Sequence, residues 1–310
     1  MSELYTLLYW RVLLKTEEIE KWKQAGKLAH DALHYGKSLI KNKSSMLQVT
    51  EKIEQFVLEN GGKLAFPTNI AINDIGAHWT PSSKNGEVFG NGDLVKLDVG
   101  VHIDGYIGDN ALTVEINAQK YKKMIEASRE ALNAAIEVAG PGVNVGLIGQ
   151  TVQRTIESYG YKPIANLTGH GIKRYNLHSG ISVPSVSERG GTVLKNGDVI
   201  AIEPFVTNGA GRVGGKRNSN IYHIRQVRRI RDEKASEMMA WIQEEYKGLP
   251  FAERWLCQNN ENATKNLQKL MRAGIVSYYP ILDELGKGFV AQSEHTIMIT
   301  NSGVEVLTIG

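Results

Sequence analysis

The sequence predicts a mixed α/β fold made of two related halves, with a helical subdomain inserted into the second half. An Asn-Gly-Asp turn occurs at 91–93 and again at 196–198, and an apolar strand follows each turn. Each strand reaches a carboxylate, Asp98 or Glu203, five residues after the turn aspartate. Two helical stretches and a glycine-rich break precede each copy, and internal similarity on this scale indicates a duplicated half-domain. The insertion is predicted because residues 211–285 interrupt the repeat.

The composition is that of an ordinary globular chain with a large core. The 310 residues are 42% hydrophobic and 22% charged, and the net charge of +3 is too small to indicate a nucleic acid partner. The single Cys257 excludes a disulfide framework and fits a reducing compartment, so we expect a cytoplasmic protein. No apolar run reaches 18 residues, so no membrane span is predicted. Residues 4–14 are apolar but lack the features of a signal peptide, and they predict an additional N-terminal strand or helix.

The helices of the first half are predicted from apolar spacing and from end signals. Thr16 is a candidate N-cap, and apolar residues then follow helical spacing as far as Leu33. A second helix is predicted over residues 46–58, because the Asn-Gly-Gly sequence at 60–62 stops it. A loop then leads into a strand within residues 65–73.

Residues 96–109 predict a β-hairpin, because Asp104-Gly105 is a typical tight turn. A turn centred near Ile103 and Asp104 would place Asp98 and Asp109 directly opposite each other. Two carboxylates among apolar neighbours repel each other at considerable cost, unless cations lie between them. A surface hairpin with two solvated aspartates is the alternative that this stretch leaves open.

The second half repeats the scheme. Helices are predicted over residues 120–138 and, from a cap at Asn144, to residue 159. Strands are predicted at 181–183, at 198–203, at 289–299 and at 304–309, whereas the Gly-His-Gly sequence around His170 is by itself typical of a loop.

The insert, residues 211–285, is predicted to hold two helices, at 232–246 and 262–273. Its first part is rich in basic residues, and we interpret them as a solvated face rather than as an RNA contact. These residues are Arg212, Lys216, Arg217, Arg225, Arg228, Arg229, Arg231 and Lys234.

Five residues are candidate metal ligands: Asp98, Asp109, His170, Glu203 and Glu294. Taken singly, each has a simpler interpretation as a loop histidine or a solvent-facing acid. Together, the four carboxylates carry the charge that two divalent cations balance. An oxygen-rich set with one imidazole suits Mn, Co, Fe or Zn.

The order of these five residues and their flanking sequences resemble the methionine aminopeptidase family. The matching segments lie at 65–69, 77–81, 177–180 and 279–280, and the resemblance extends from about residue 16 to the end. The insert resembles that of type 2 members. The short archaeal form is indicated because the chain has neither a long polybasic extension nor a cysteine-rich zinc module.

The resemblance implies the pita-bread fold, in which two pseudo-symmetric α/β halves surround a dinuclear metal centre. It implies that Asp98 binds one of two divalent metal ions and that Asp109 and Glu294 bridge both. It assigns His170 and Glu203 to the other ion. The implied domains are residues 1–210 plus 286–310 for the catalytic unit, and 211–285 for the insert.

The resemblance also assigns the residues that meet the substrate. His78 and His178 match two non-ligand histidines that contact it, and Phe66, Leu177 and Tyr279 match positions lining the methionine pocket. The implied reaction removes the N-terminal methionine from nascent proteins and peptides whose second residue is small. A hydroxide attacks at the dinuclear centre, and Glu203 passes a proton to the leaving amine. Ser293 departs from the family, which usually has an aromatic residue there, and the first fifteen residues have no counterpart.

The expected partners are nascent polypeptide N-termini, with the ribosome as a further candidate. We expect a monomer that uses no membrane and no specific nucleic acid. Two alternatives stay open from the sequence. An X-Pro aminopeptidase or dipeptidase would usually carry an additional N-terminal domain. A non-catalytic relative that binds RNA or protein would typically have lost metal ligands.

Overall fold

The computed structural model of the chain describes residues 16–257 and 262–310. The strand or helix expected at residues 4–14 therefore lies outside the described part. The helices are α1 (Thr16–Leu39), α2 (Met46–Glu59), α3 (Lys122–Val138), α4 (Val145–Ser158), α5 (Glu233–Tyr246), α6 (Glu253–Cys257) and α7 (Ala263–Arg272). No helix in these ranges is both long and apolar enough to cross a membrane.

Eighteen strands are described between and after these helices. They are β1 (Lys63–Leu64), β2 (Asn69–Ile72), β3 (Ile75–Ala77), β4 (Leu94–Ile103), β5 (Tyr106–Glu115), β6 (Lys162–Pro163), β7 (Thr168–Ile172), β8 (Ser182–Pro184), β9 (Val199–Ile202), β10 (Phe205–Thr207), β11 (Val213–Gly214), β12 (Asn218–Ile224), β13 (Phe251–Ala252), β14 (Val276–Pro280), β15 (Leu282–Glu284), β16 (Val290–Gln292), β17 (His295–Thr300) and β18 (Gly303–Val306).

The sheet of the first half is organised around β4. Strand β5 pairs with one edge of β4, and β1 and β2 pair with the other, all antiparallel. Alternate residues of β4, from Val95 to Val101, are fully buried in the same core as apolar residues of α1 and α2. Because side chains alternate across a strand, Asp98 lies on the opposite face, away from these helices.

The sheet of the second half has the order β18-β17-β9-β7-β8. Ile200 and Ile202 of β9 share a core with apolar residues of α3 and α4. The same alternation therefore leaves Glu203, which follows β9, on the face away from the helices.

The two Asn-Gly-Asp turns are hydrogen-bonded in the same way. The Asp93 carboxylate accepts from Gly90 N at 2.7 Å, and the Asp198 carboxylate accepts from Lys195 N at 2.8 Å. The glycines between have φ of 81° and 88°, a left-handed conformation that favours glycine. The predicted duplication is thus confirmed down to the bonding of single turns.

The insert is less helical than predicted. Both predicted helices are present as α5 and α7, but a short helix, α6, and an antiparallel sheet of order β13-β12-β14 accompany them. Tyr222 and Val276 of this sheet pack with α5 and α7 in one apolar core. The sheet covers apolar surface that the short helices alone would leave exposed to solvent.

The strand predicted over residues 289–299 is two strands, β16 and β17. The chain leaves the ladder at Ser293, because Glu294 bridges to Ala111 of the other half instead of continuing β16. This switch of partner carries the strand from one sheet to another.

Candidate metal centre

The five candidate ligands come from five separate strands or strand ends. Asp98 lies on β4, Asp109 on β5 and His170 on β7, while Glu203 follows β9 directly and Glu294 precedes β17. Asp109, His170 and Glu294 are each less than a tenth exposed, whereas Asp98 and Glu203 are half-buried. The two halves therefore converge on one cluster of acids at their contact.

Asp98 and Asp109 do not face each other directly, so the predicted register was wrong. Asp98 pairs with Ala111, and Asp109 pairs with Gly100. The reason is the turn, whose central residues are Asp104 and Gly105, with φ of 51° and 86°. That two-residue turn shifts the pairing by two positions, which leaves both carboxylates on one face as diagonal neighbours.

The hydroxyl of Thr296 joins the hairpin of the first half to β17 of the second half. Thr296 Oγ1 accepts from Asp109 N and donates to Asp109 O, each at 2.8 Å. Next to it, Glu294 N donates to Ala111 O at 3.0 Å. These bonds fix the separation of the Asp109 and Glu294 backbones, and so hold the two acidic side chains together.

Three of the five candidate ligands lie within reach of a single ion. Ligand atoms of Asp109, His170 and Glu294 are all within 4.8 Å of one another. His170 Nε2 lies 3.6 Å from both Asp109 Oδ2 and Glu203 Oε1. Gln292 Nε2 donates to Glu294 Oε2 at 3.1 Å and orients that carboxylate.

Burial and the proximity of other carboxylates raise the pKa values of the four acids in the cluster. Burial raises the pKa of Asp98 to about 7. Burial, followed by the charges of Asp98 and Glu203, raises the pKa of Asp109 well above its usual range. The pKa values of Glu203 and Glu294 are raised in the same way, first by burial and then by neighbouring carboxylates. Charged acids in such a cluster require positive charge nearby.

The donor set fits a divalent cation. Asp98 Oδ1 and Asp109 Oδ1 are buried without a hydrogen-bond partner among the described residues. Buried polar atoms are rarely left unpaired, and an oxygen that a cation binds is satisfied by it. His170 suits the same role, because burial lowers the pKa of its imidazole to about 3 and keeps it neutral.

All ten residues assigned by resemblance line one cavity of about 70 Å³. His78 has a left-handed backbone with φ of 58°, and its ring centre lies 5.2 Å from that of Tyr279. His178 stacks edge-on against His170, with ring centres 4.5 Å apart. Burial, and then the proximity of His178, lowers the pKa of His78 to about 4.

Four further lining residues were missed by the sequence analysis: Asn69, Ala77, Ile221 and Pro250. Asn69 and Ala77 lie within matched segments and could have been found there. Ile221 and Pro250 lie in the insert, where no local pattern indicates that they reach the cavity. A larger cavity of about 710 Å³ lies between α2 and α5, but none of the ten assigned residues lines it.

Ser293, which stands where the family usually has an aromatic residue, makes a buried hydrogen bond instead of an aromatic contact. Ser293 is 9% exposed, and its hydroxyl lies 2.9 Å from that of Ser128 on α3. A hydrogen bond between two hydroxyls thus joins α3 to the segment that carries Glu294.

Comparisons with known proteins agree with this architecture. The model of "Metallopeptidase family M24" matches residues 20–301. The methionine aminopeptidase of Methanocaldococcus jannaschii is 44% identical over 295 residues, covering 95% of this chain and 100% of that protein. The crystal structure of methionine aminopeptidase from Thermotoga maritima has a TM-score of 0.70 at 26% identity, covering 96% of this chain and 98% of that one. A thermophilic Arx1 has a TM-score of 0.83 at 15% identity, covering 95% and 91%, which shows the fold alone. The chain belongs to metallopeptidase family M24 and has its pita-bread fold of two pseudo-symmetric halves.

Proposed function

We propose that this protein is a methionine aminopeptidase that removes the N-terminal methionine from nascent proteins and peptides whose second residue is small. The observation that carries the proposal is the convergence of four carboxylates and one imidazole beside an apolar pocket, in a chain whose relatives carry that name. The pocket residues Phe66 and Leu177 are buried, and the half-buried Tyr279 closes the cavity from the insert. Such a pocket suits an unbranched thioether side chain.

Two divalent cations, Co, Mn, Fe or Zn, are the proposed cofactors. Asp98 would bind one ion, Asp109 and Glu294 would bridge both, and His170 and Glu203 would complete the second. When bound, such a pair supplies Lewis acidity and a nucleophilic hydroxide at neutral pH. The tight carboxylate cluster also provides a place for the substrate's free amine, which explains a restriction to N-termini.

The remaining steps belong to side chains around the cavity. Glu203 lines the cavity and lies beside His170, so it can take a proton and pass it to the leaving amine. His78 and His178 both line the cavity near Tyr279, with ring centres 5.2 and 6.5 Å from that of Tyr279. From there each can donate a hydrogen bond to the substrate carbonyl oxygen or accept one from the peptide N–H.

A direct test compares two peptides. The purified protein, loaded in turn with Co²⁺, Mn²⁺, Fe²⁺ and Zn²⁺, is assayed on Met-Ala-Ser and on an Ala-Pro peptide. Release of methionine from Met-Ala-Ser alone supports the proposal. Cleavage of the Ala-Pro peptide would indicate an X-Pro peptidase, and cleavage of neither with metals bound would indicate a binding protein.

We also propose that the enzyme works as a cytoplasmic monomer on chains that leave the ribosome. The eight basic residues of the insert's first part are all exposed, and their positive charge makes them the candidate ribosome contact, which is the alternative to the purely solvated face favoured by the sequence. Co-sedimentation with ribosomes at low and high salt tests this contact. Ribosome binding that survives when four of these residues are changed to Ser would contradict the proposed contact. The molar mass in solution, measured by light scattering, tests whether the protein is a monomer.

A further inference from the structure

A closed ring of buried hydrogen bonds ties the insert to the two loops that carry Phe66 and His78. Its members are Glu54 on α2, Thr68 before β2, Thr80 after β3 and Arg254 on α6. All four are at most 6% exposed. The ring joins Arg254 of the insert to three residues that lie within positions 54–80 of the first half.

Each contact of the ring is made by a polar group at hydrogen-bond distance. The Arg254 guanidinium pairs with Glu54 through Nη2, and its Nη1 donates to Thr80 Oγ1 at 2.9 Å. Thr80 Oγ1 donates to Thr68 O at 2.8 Å. Thr68 N then donates to Glu54 Oε1 at 3.1 Å, which closes the ring.

Four further bonds attach the insert to the ring and its loops, and two of them reach the backbone of Thr80: Thr80 N donates to Ser219 O at 3.3 Å, and Asn220 Nδ2 donates to Thr80 O at 3.0 Å. Arg254 Nη1 also donates to Pro81 O at 3.0 Å, and Trp255 Nε1 donates to Glu54 Oε2 at 2.8 Å. A buried ion pair of this kind contributes little net stability compared with apolar residues of the same size. Its clearer effect is geometric, since charge-assisted bonds to several backbone and hydroxyl groups allow one arrangement.

The ring lies two residues from each of two proposed substrate contacts. Phe66 precedes Thr68 by two positions, and His78 precedes Thr80 by two. His78 has a left-handed backbone, a strained conformation for a non-glycine residue that persists only where the surroundings enforce it. The hydroxyl of Thr80 contacts both the guanidinium of Arg254 and the backbone of Thr68, so it links the two loops to the insert.

We infer that Glu54, Thr68, Thr80 and Arg254 are positioning residues, through which the insert sets the placement of Phe66 and His78 at the substrate cavity. This inference rests on the proposed aminopeptidase function. None of the four touches the candidate metal ligands in the ring's own contacts, so their effect is on how the substrate is held. The insert thereby takes part in the reaction at a distance from its own cavity residues.

The test uses Thr80→Val, which keeps the shape of the side chain and removes its hydroxyl. Thr80→Ser restores the hydroxyl, and Thr50→Val is the matched control. Thr50 is fully buried on the same helix as Glu54, and its hydroxyl donates only to Met46 O at 2.9 Å among the described contacts. Arg254→Lys is a second variant, because an ammonium cannot pair with Glu54 and still serve Thr80 and Pro81 with fork geometry.

Two measurements are made on each metal-loaded protein: kcat/KM for Met-Ala-Ser, and backbone hydrogen exchange in peptides covering 64–70 and 76–82. Thr80→Val should lower kcat/KM roughly tenfold, as expected for a small misplacement of substrate contacts, and should speed exchange in both peptides. Thr80→Ser and Thr50→Val should keep kcat/KM within about twofold of the parent. Arg254→Lys should behave like Thr80→Val.

Unchanged kcat/KM in Thr80→Val, whether or not exchange speeds up, would overturn the inference and leave the ring a purely structural tie. A fall of equal size in Thr50→Val would overturn it too, because any lost buried hydroxyl would then have the same effect. If the unmodified protein does not cleave Met-Ala-Ser, the proposed function fails. In that case the positioning role fails with it, while the exchange data still report whether the ring holds the loops.

Discussion

The ring of Phe66 lies against the backbone of Gly100, so closely that a β-carbon at residue 100 would fall 2.1 Å from Phe66 Cε1. Gly100 is also the residue that pairs with Asp109 across the hairpin. One glycine therefore separates the proposed methionine pocket from a candidate bridging ligand. Only a residue without a side chain lets the aromatic ring approach the strand here.

Gly100→Ala should push Phe66 out of its place and deform the pocket. We expect KM for Met-Ala-Ser to rise roughly tenfold and kcat to change less, because ground-state binding is mainly lost. Steady-state kinetics check this. Gly86→Ala is the control, since a β-carbon there meets no atom within 4 Å, and it should leave KM unchanged. An unaltered KM in Gly100→Ala would remove Phe66 from the pocket.

The proposed bridging role of two acids predicts the metal stoichiometry of their variants. Asp109→Asn and Glu294→Gln keep side-chain size, but each removes a charge that both ions would share. Calorimetric titration should show two bound equivalents for the parent and a weakened or missing second equivalent for each variant. Asp31→Asn changes a carboxylate on α1 that does not line the cavity, and this variant should still bind two equivalents. Two equivalents at parent affinity in Glu294→Gln would argue against bridging.

The raised pKa of Asp98 predicts how the metal-free protein responds to pH. Folding raises this pKa from 3.8 to about 7, chiefly by burial, so the folded state holds the proton more tightly. The Asp98 contribution to stability is therefore present below about pH 4 and is lost as pH rises toward 7. Relative to the parent, Asp98→Asn should become more stable over that range.

Urea unfolding of both metal-free proteins at several pH values from 4 to 8 measures the difference. Addition of excess Mn²⁺ should reverse it for the parent, because a bound cation favours the charged carboxylate. A difference that is flat across this range would mean that Asp98 titrates normally. Glu51→Gln, which changes an exposed carboxylate on α2, should show no such trend.

The sequence allowed the candidate ligands to be identified and their convergence to be predicted better than the contacts around them. Asp98 and Glu203 were found because each stands at a set distance after a turn whose chemistry is local. The register of Asp98 and Asp109 was missed, since it depends on which two residues form the turn. The hydrogen bond between Ser128 and Ser293 joins positions 165 residues apart, and no periodicity in the sequence reports it.

Glu284 marks the junction of the proposed domains, 1–210 plus 286–310 and the insert 211–285. It is fully buried, and its carboxylate accepts from Gly211 N, Gly286 N and Gly288 N at 2.7–3.0 Å. Glu284→Gln replaces an acceptor by a donor, so we expect a loss of roughly 3 kcal/mol in the free energy of unfolding. Both ends of the insert should also become more sensitive to limited proteolysis.

Thermal unfolding and proteolysis of the same sample test this junction. Glu59→Gln, an exposed change on α2, should alter neither measurement. Protection of residues 208–212 and 284–288 equal to that of the parent would mean that the carboxylate does not hold the two chain segments together.

Variants of the two non-ligand histidines can distinguish a catalytic role of these residues from a structural one. His178 is exposed, so His178→Ala should cost little stability and should lower kcat by roughly 10²–10³, the usual loss for one donor to a developing oxyanion. His78 needs a different substitution, because alanine at its φ of 58° is strained. Asparagine tolerates that backbone, so His78→Asn is used, and Lys43→Asn is the matched control at an exposed residue with φ of 68°. We expect both histidine variants to keep their metal content and melting temperature while losing turnover. Normal kcat in a destabilised His78→Asn would show that this histidine only supports its loop.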